Sequence, residues 1–213
     1  MANKWLKLMV NNTQQGQMQS GFTLVELMIT MLILALILNY AVPAMGAFVE
    51  RNRLKAAAEE VFSQIHYART ESIKQSTALS MVFSANGTDT WSFGLGPTNS
   101  APYIAPCDTS ETDASQADAC VINVGGTNVF KVTINNSGDA NFNNIKMALT
   151  NSSGTTINPY RIDFDQVRGT ATSGRIILTS ESGWIIRNEI SPLGHVRVCS
   201  PAGNNEISGY PAC

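Results

Sequence analysis

The sequence predicts an α+β protein: one long N-terminal helix, membrane-spanning in its first half and amphipathic in its second, packed on a C-terminal antiparallel β-sheet head. Three observations carry this. An apolar run of about twenty residues lies near the N-terminus. An amphipathic helical periodicity follows it and runs to about Gln75. Beyond Gln75 the period drops to two, in short runs separated by glycine- and asparagine-containing turns.

The apolar run is Phe22 to Val42, F-T-L-V-E-L-M-I-T-M-L-I-L-A-L-I-L-N-Y-A-V. At 1.5 Å per residue, about 20 residues span a hydrocarbon core of roughly 30 Å. Lys4 and Lys7 precede it and no acid does. The N-terminal side is therefore expected in the cytoplasm and everything after Pro43 outside. Glu26 is the anomaly, because a carboxylate at a membrane-helix centre costs roughly 2.5–3.5 kcal/mol on insertion scales. A plain signal peptide would be cut near the small-x-small Ala44-Met45-Gly46. A plain anchor would leave Glu26 as a first-turn acid favoured by the helix dipole. Neither reading uses the neighbours of Glu26.

Those neighbours form Gly21-Phe22-Thr23-Leu24-x-Glu26. This closely resembles the class III signal of type IV pilins and type II secretion pseudopilins. In that family a prepilin peptidase cuts after the glycine, on the cytoplasmic side, and methylates the new N-terminal phenylalanine. The resemblance implies a cleaved leader over residues 1–21 and a retained transmembrane segment over 22–43. Glu26, the fifth residue from Phe22, would neutralise an N-terminal amine in the filament core. An unpaired buried charge is far costlier than a paired one, so Glu26 would set the axial register of an added subunit. Its presence argues against the pseudopilin type that typically lacks this acid and caps the extreme tip. Pro43 is the 22nd residue from Phe22. Pilins commonly have a proline there, and the resemblance implies a bend in a continuing helix; the other reading is that Pro43 ends the membrane helix.

Residues 44–76 are expected as the amphipathic half. Ala47, Leu54, Val61 and Ala68 recur every seven residues, with Ala58, Phe62, Ile65 and Ile73 beside them. Glu50, Arg51, Arg53, Lys55, Glu59 and Glu60 take much of the rest. His66 and Tyr67 are expected as partly buried packing residues. The β-rich head then covers 77–213, with strands at Ala78–Ser84, Thr90–Gly94, Val129–Ile134, Arg161–Phe164, Arg175–Thr179, Trp184–Ile190 and His195–Cys199. Two stretches rich in small polar residues, Gly96–Gly126 and Gly138–Thr156, are expected as loops.

The four cysteines form no C-x-x-C pair, and a zinc site is a poor reading. Their even number suggests disulfides and an oxidising compartment. Of three connectivities, sequence proximity favours Cys107–Cys120, stapling the first loop, and Cys199–Cys213. Each closure would stabilise by about 3 kcal/mol in the chain-entropy model.

The head pattern resembles the GspH/FimT group (FimT/FimU-like) of minor pilins and pseudopilins. The carrying residues are "RTESIKQSTALSMVFSANGTDTWSFG", "RIDFDQVRGTATSGRIILTS" and "ISPLGHVRVCS". The resemblance implies a type IV pilin-like fold. It also implies a minor pilin near the filament tip, helping prime assembly and link the tip complex to the shaft. The alternatives are a GspH-like pseudopilin of a type II secretion system and a pilus-tip DNA-binding protein for natural transformation. Implied partners are the prepilin peptidase, other minor pilins, the major pilin and inner-membrane lipid. The implied location is the bacterial inner membrane, with a single pass and the head in the periplasm, then the filament at the cell surface.

No G-x-S-x-G, Walker A or H-E-x-x-H motif occurs, and a non-enzyme without cofactor or metal is expected. Asp163 and Asp165 stand two apart and would share a strand face, which is usually a solvated pair. Removing Lys4 and Lys7 from the 14 basic residues leaves 12 against 16 acids, so net charge does not argue for nucleic acid. Locally, Arg175, Arg187 and Arg197 fall on three candidate strands, with Arg161 and Arg168 before them. In the FimT branch a Gly-Arg-x-Arg motif is implicated in DNA binding. The matching stretch is Gly194-His195-Val196-Arg197, where histidine replaces the first arginine and leaves one permanent charge. Double-stranded DNA is thus a candidate partner through His195, Arg197, Arg187 and Arg175; solvated arginines on an exposed sheet are the alternative.

Overall fold

A computed structural model of the chain describes residues 21–85, 87–98, 107–135, 142–157, 160–203 and 205–213. The chain divides into two compact units, residues 1–44 and 45–213. One helix, α1 (Leu24–Gln75), contributes to both and is continuous through Pro43. In the first unit every side chain from Leu24 to Val42 is exposed. The helix is long and apolar enough to cross a membrane. The hydroxyl of Thr30 donates back to the Leu27 carbonyl at 2.9 Å, which satisfies a polar group without a partner outside the helix.

In the second unit α1 buries one stripe. Leu54, Ala57, Ala58, Val61, Ile65 and Ala68 are all fully buried. Their three- and four-residue spacing places them on one face, and the three alanines allow close approach of whatever packs there. The stripe thins at its ends, where Ala47 and Phe62 are half-buried and Ile73 is exposed. Glu71 is buried instead, its carboxylate held by Gln75 at 2.7 Å and Lys74 at 3.2 Å.

The described strands are β1 (Leu79–Ala85), β2 (Trp91–Pro97), β3 (Val121–Val124), β4 (Thr127–Phe130), β5 (Val132–Asn135), β6 (Lys146–Asn151), β7 (Tyr160–Phe164), β8 (Gly174–Thr179), β9 (Ile185–Ile190) and β10 (Val196–Cys199). They form two four-stranded antiparallel sheets, ordered β5-β2-β1-β7 and β10-β9-β8-β6, and a separate β3-β4 hairpin. The inner faces alternate as the period-two pattern requires. Met81, Phe83, Phe93 and Ile162 come from the first sheet, and Leu149, Ile176, Leu178 and Ile186 from the second. All join the helix stripe in one core. Fully burying such side chains contributes about 1.5–3 kcal/mol each. The two sheets meet at Met147, whose N–H and carbonyl bond Thr88 and Gly87, and at Trp91, whose indole N–H donates to the Ile145 carbonyl at 2.8 Å.

The α+β architecture is the expected one, but four local expectations need correction. Gly138–Thr156 is not a loop throughout, because β6 lies within it and edges the second sheet. Its buried Met147 and Leu149 alternate with less buried neighbours, a signal diluted by the surrounding asparagines and serines. The stretch Gly96–Gly126 is not simply exposed: Gly96 is buried in β2, Cys107 and Cys120 are buried, and β3 occupies its end. The strand expected over Val129–Ile134 is broken at Lys131, with β4 pairing β3 and β5 pairing β2. Asp165 also lies beyond the end of β7, so Asp163 and Asp165 share no strand face.

Cys107 is bonded to Cys120 and Cys199 to Cys213. The first disulfide lies against the middle of β2, where a Cβ on Gly94 would sit 2.4 Å from the Cys120 sulfur. Glycine in this strand therefore marks a close approach. The second ties β10 to the C-terminal segment, which also bonds Ser200 through the Pro211 carbonyl and the Cys213 N–H.

The polar side of α1 is less solvated than its composition suggests. Glu50 accepts hydrogen bonds from the N–H and hydroxyl of Ser182, each at 2.7 Å. Burial raises its pKa, yet these two donors hold it net below the ordinary carboxylate value. Arg51 lies over the Trp184 ring at 4.2 Å, and Lys55 donates to the Ser208 carbonyl at 3.2 Å. Glu59 accepts from the Tyr210 hydroxyl at 2.8 Å. One flank of the helix thus clasps the β8–β9 turn and the C-terminal segment.

Candidate functional sites

The Gly21–Phe22 junction at which cleavage is expected lies outside the helix. Gly21, Phe22 and Thr23 are non-helical and exposed, and α1 starts at Leu24. Thr23 is the N-cap: its carbonyl accepts the Leu27 N–H at 3.1 Å and its hydroxyl oxygen accepts the Glu26 N–H at 3.2 Å. Glu26 sits in the first turn, exposed, and no described residue pairs with its carboxylate. A first-turn acid is favourable for the dipole, which leaves the carboxylate free for an external cation. Thr23 was not singled out as a cap from the sequence; the T-x-x-E spacing from Thr23 to Glu26 was the signal that could have found it. Pro43 lies inside α1.

On the head, register places the arginines more sharply than sequence spacing could. Arg175 on β8 is opposite Glu189 on β9, and Glu189 is opposite Arg197 on β10. Arg187 is opposite Ile177 and Cys199. Burial alternates along β8 and β9, with Arg175, Arg187 and Glu189 among the less buried residues. The three arginines therefore share the outer face of one sheet, with Glu189 between two of them. Arg175 pairs with Glu189 at 3.2 Å, Arg197 donates to the Ala212 carbonyl, and the Arg187 Nε is buried with no partner among the described residues. Arg175, Glu189, Ser191, His195 and Arg197 line a groove of about 540 Å³. Arg161 is elsewhere, on β7 of the first sheet and paired with Asp163. Arg168 follows Asp165 in an exposed turn, where that carboxylate accepts the N–H groups of Val167 and Arg168 at 3.0 and 2.7 Å. The Arg168 and Val167 N–H groups hold Asp165 below the usual carboxylate range.

Gly194 has a structural task that spacing did not reveal. It is buried at φ +74°, and a Cβ there would meet the Gly169 carbonyl at 2.2 Å and the Arg69 Nε at 2.9 Å. Arg69 donates to the Gly169 carbonyl at 2.9 Å and to the Leu193 carbonyl at 3.3 Å. The helix thereby holds both the β7–β8 loop and the β9–β10 turn that carries His195. The chain's two histidines come near each other at this turn. Burial first, then Arg69 and His195, keep the His66 pKa below its ordinary value.

One cluster of metal-donor types occurs among the described residues, Glu189 with Cys199 and Cys213. Its two sulfurs are bonded to each other, so it offers no thiolate.

Comparison with known families agrees with both regions. Residues 16–38 match the prokaryotic N-terminal methylation motif. Residues 57–200, about two-thirds of the chain, match the type II transport protein GspH family. No curated protein and no solved structure matches the chain.

Proposed function

The chain belongs to the GspH/FimT family of type IV minor pilins and pseudopilins, and from that premise we propose that it is a minor pilin of a type IV pilus. In this reading a prepilin peptidase removes residues 1–21 and methylates Phe22 with a methyl-group donor. The head lies in the periplasm until the subunit enters the filament near its tip. There it helps prime assembly and links the tip complex to the shaft of major pilin. The family role is structural, not enzymatic.

The observation that supports this best is the exposure of α1 from Leu24 to Val42 beside the methylation motif. Such a helix needs cover from outside, first from lipid and then from neighbouring subunits. Glu26 would meet a Phe22 amine there, and Pro43 would let the helix bend within a continuing rod. The test is mass spectrometry of sheared filaments. The expected chain begins with N-methylated Phe22, and Glu26→Ala should be processed normally but enter filaments poorly. An N-terminus near Ala47, or full incorporation of Glu26→Ala, would overturn the reading.

The second reading, a pseudopilin of a type II secretion system, is favoured by the description of the matched GspH family. Deletion of the gene separates the two: loss of surface pili supports the first, and loss of exoprotein secretion with normal pili supports the second. A third reading adds double-stranded DNA as a partner of the head, because Arg175, His195 and Arg197 line one groove. Glu189 beside them weakens phosphate attraction. Duplex binding by the full chain in detergent should fall steeply with salt, weaken in Arg197→Ala and strengthen in His195→Arg. No shift at low salt and pH 6 removes this reading.

A further inference from the structure

The bond to be processed and the start of α1 lie two residues apart, and Thr23 stands between them. Continuation of α1 toward the N-terminus would use two specific acceptors. By the i→i−4 rule the Phe22 carbonyl would take the Glu26 N–H, and the Gly21 carbonyl would take the Val25 N–H. The first of these donors is already taken, because the Thr23 hydroxyl oxygen accepts the Glu26 N–H at 3.2 Å. The Thr23 carbonyl closes the first full helical bond, with the Leu27 N–H at 3.1 Å. Gly21 and Phe22 remain non-helical and exposed, and a Cβ at Gly21 would meet nothing within 4 Å.

We propose that Thr23 is a positioning residue for peptidase cleavage: its side-chain cap stops α1 short of the Gly21–Phe22 bond and presents that bond as accessible, non-helical backbone. This rests on the processing reading above. Hydrolysis adds water across the bond; hydroxyl goes to the Gly21 carbonyl carbon and a proton to the Phe22 nitrogen, leaving a carboxylate and an amine. The enzyme must reach that carbonyl and bond the backbone around it. Strand-like peptide recognition works through free N–H and C=O groups. A helix that ran through Gly21 would consume them. The pressure to extend is strong, because the residues after Thr23 are apolar helix formers and lipid offers unsatisfied N–H groups no partner. Glu26 supports the cap as the acid at the third helical position.

The test uses the full-length precursor in membrane vesicles with an active prepilin peptidase, comparing initial cleavage rates. Thr23→Val keeps the shape and the branched β-carbon but removes the acceptor. It should be cut about fivefold more slowly, the population change that a cap of ordinary strength produces. Thr23→Ser and Thr23→Asn restore an acceptor and should be cut at nearly the wild-type rate, although asparagine has neither the branched β-carbon nor the hydroxyl of threonine. In parallel, carbon chemical shifts of the full chain in micelles should move toward helical values at Gly21 and Phe22 in Thr23→Val and return in Thr23→Asn. Cleavage of Thr23→Val at the wild-type rate overturns the proposal. So does slow cleavage of Thr23→Asn with a wild-type helix start, which would mean that the enzyme reads the threonine side chain itself. A wild-type chain left uncut at Gly21–Phe22 removes the processing reading and this proposal together, whereas normal wild-type cleavage with an indifferent Thr23→Val removes this proposal alone.

Discussion

The two halves of α1 are made of the same secondary structure and apolar side chains, yet those side chains have opposite fates. From Leu24 to Val42 every side chain is exposed. From Leu54 to Ala68 six side chains are completely buried, and charged residues on the flank are bonded to the head. The difference lies in where the partner comes from. The second half finds its partner in its own two sheets, so an apolar stripe and a polar flank suffice. The first half is apolar all round, which is the pattern of a helix whose surroundings are supplied from outside the fold.

The strongest way to break this comparison is to remove the same volume from each half. Leu54→Ala should destabilise the head by about 2–5 kcal/mol, the cost of a large-to-small change in a packed core. Leu32→Ala should leave head stability unchanged. Denaturant unfolding of the full chain in detergent, followed by near-ultraviolet circular dichroism, checks both; equal losses would mean that the first half also packs within the chain.

A smaller effect sharpens the comparison inside the head. Replacing Cys199 and Cys213 with serine should cost about 3 kcal/mol, since the closed loop is short and the segment it holds is largely polar. Membrane insertion of the first half should not change. A melting temperature of the double variant equal to that of the oxidised wild type would show that the polar clasp to Glu59 and Lys55 holds the segment unaided.

The smallest effect is a pH dependence. The folded state depresses the His66 pKa, while the unfolded residue titrates near 6.5. Above that value both states are neutral and the His66 contribution is complete. As pH falls through 6.5 toward the depressed folded value, the unfolded state takes the proton first and stability declines. The head should therefore melt lower at pH 5.5 than at pH 7.5, and His66→Phe should flatten that drop. Parallel profiles for the two proteins would remove His66 as the cause.

Particular residues show what was legible beforehand. The helix end at Gln75 and most strands could be read from periodicity, because the spacing of apolar side chains is a local property. Strand β6 was hidden because Met147 and Leu149 stand among asparagines, serines and threonines that resemble a loop. The break at Lys131 was hidden because nothing local marks the point where β4 leaves for β3 and β5 joins β2. Glu189 lies two residues from Arg187, so their shared face was readable. That Glu189 stands opposite both Arg175 and Arg197 needed the register of three strands.

The sequence by itself determined the Gly-Phe-Thr-Leu-x-Glu motif, the apolar run and the amphipathic periodicity that follows it. Each depends on residues within a turn or two of one another, where backbone geometry alone fixes the neighbours. The tertiary structure decided the rest: two sheets, glycine at position 94 beneath the Cys120 sulfur, glycine at position 194 against Gly169 and Arg69, and an acid between two arginines of the groove. Those neighbours are far apart in the chain. Packing of one shared core brings them together, and no local spacing encodes which strand will lie beside which.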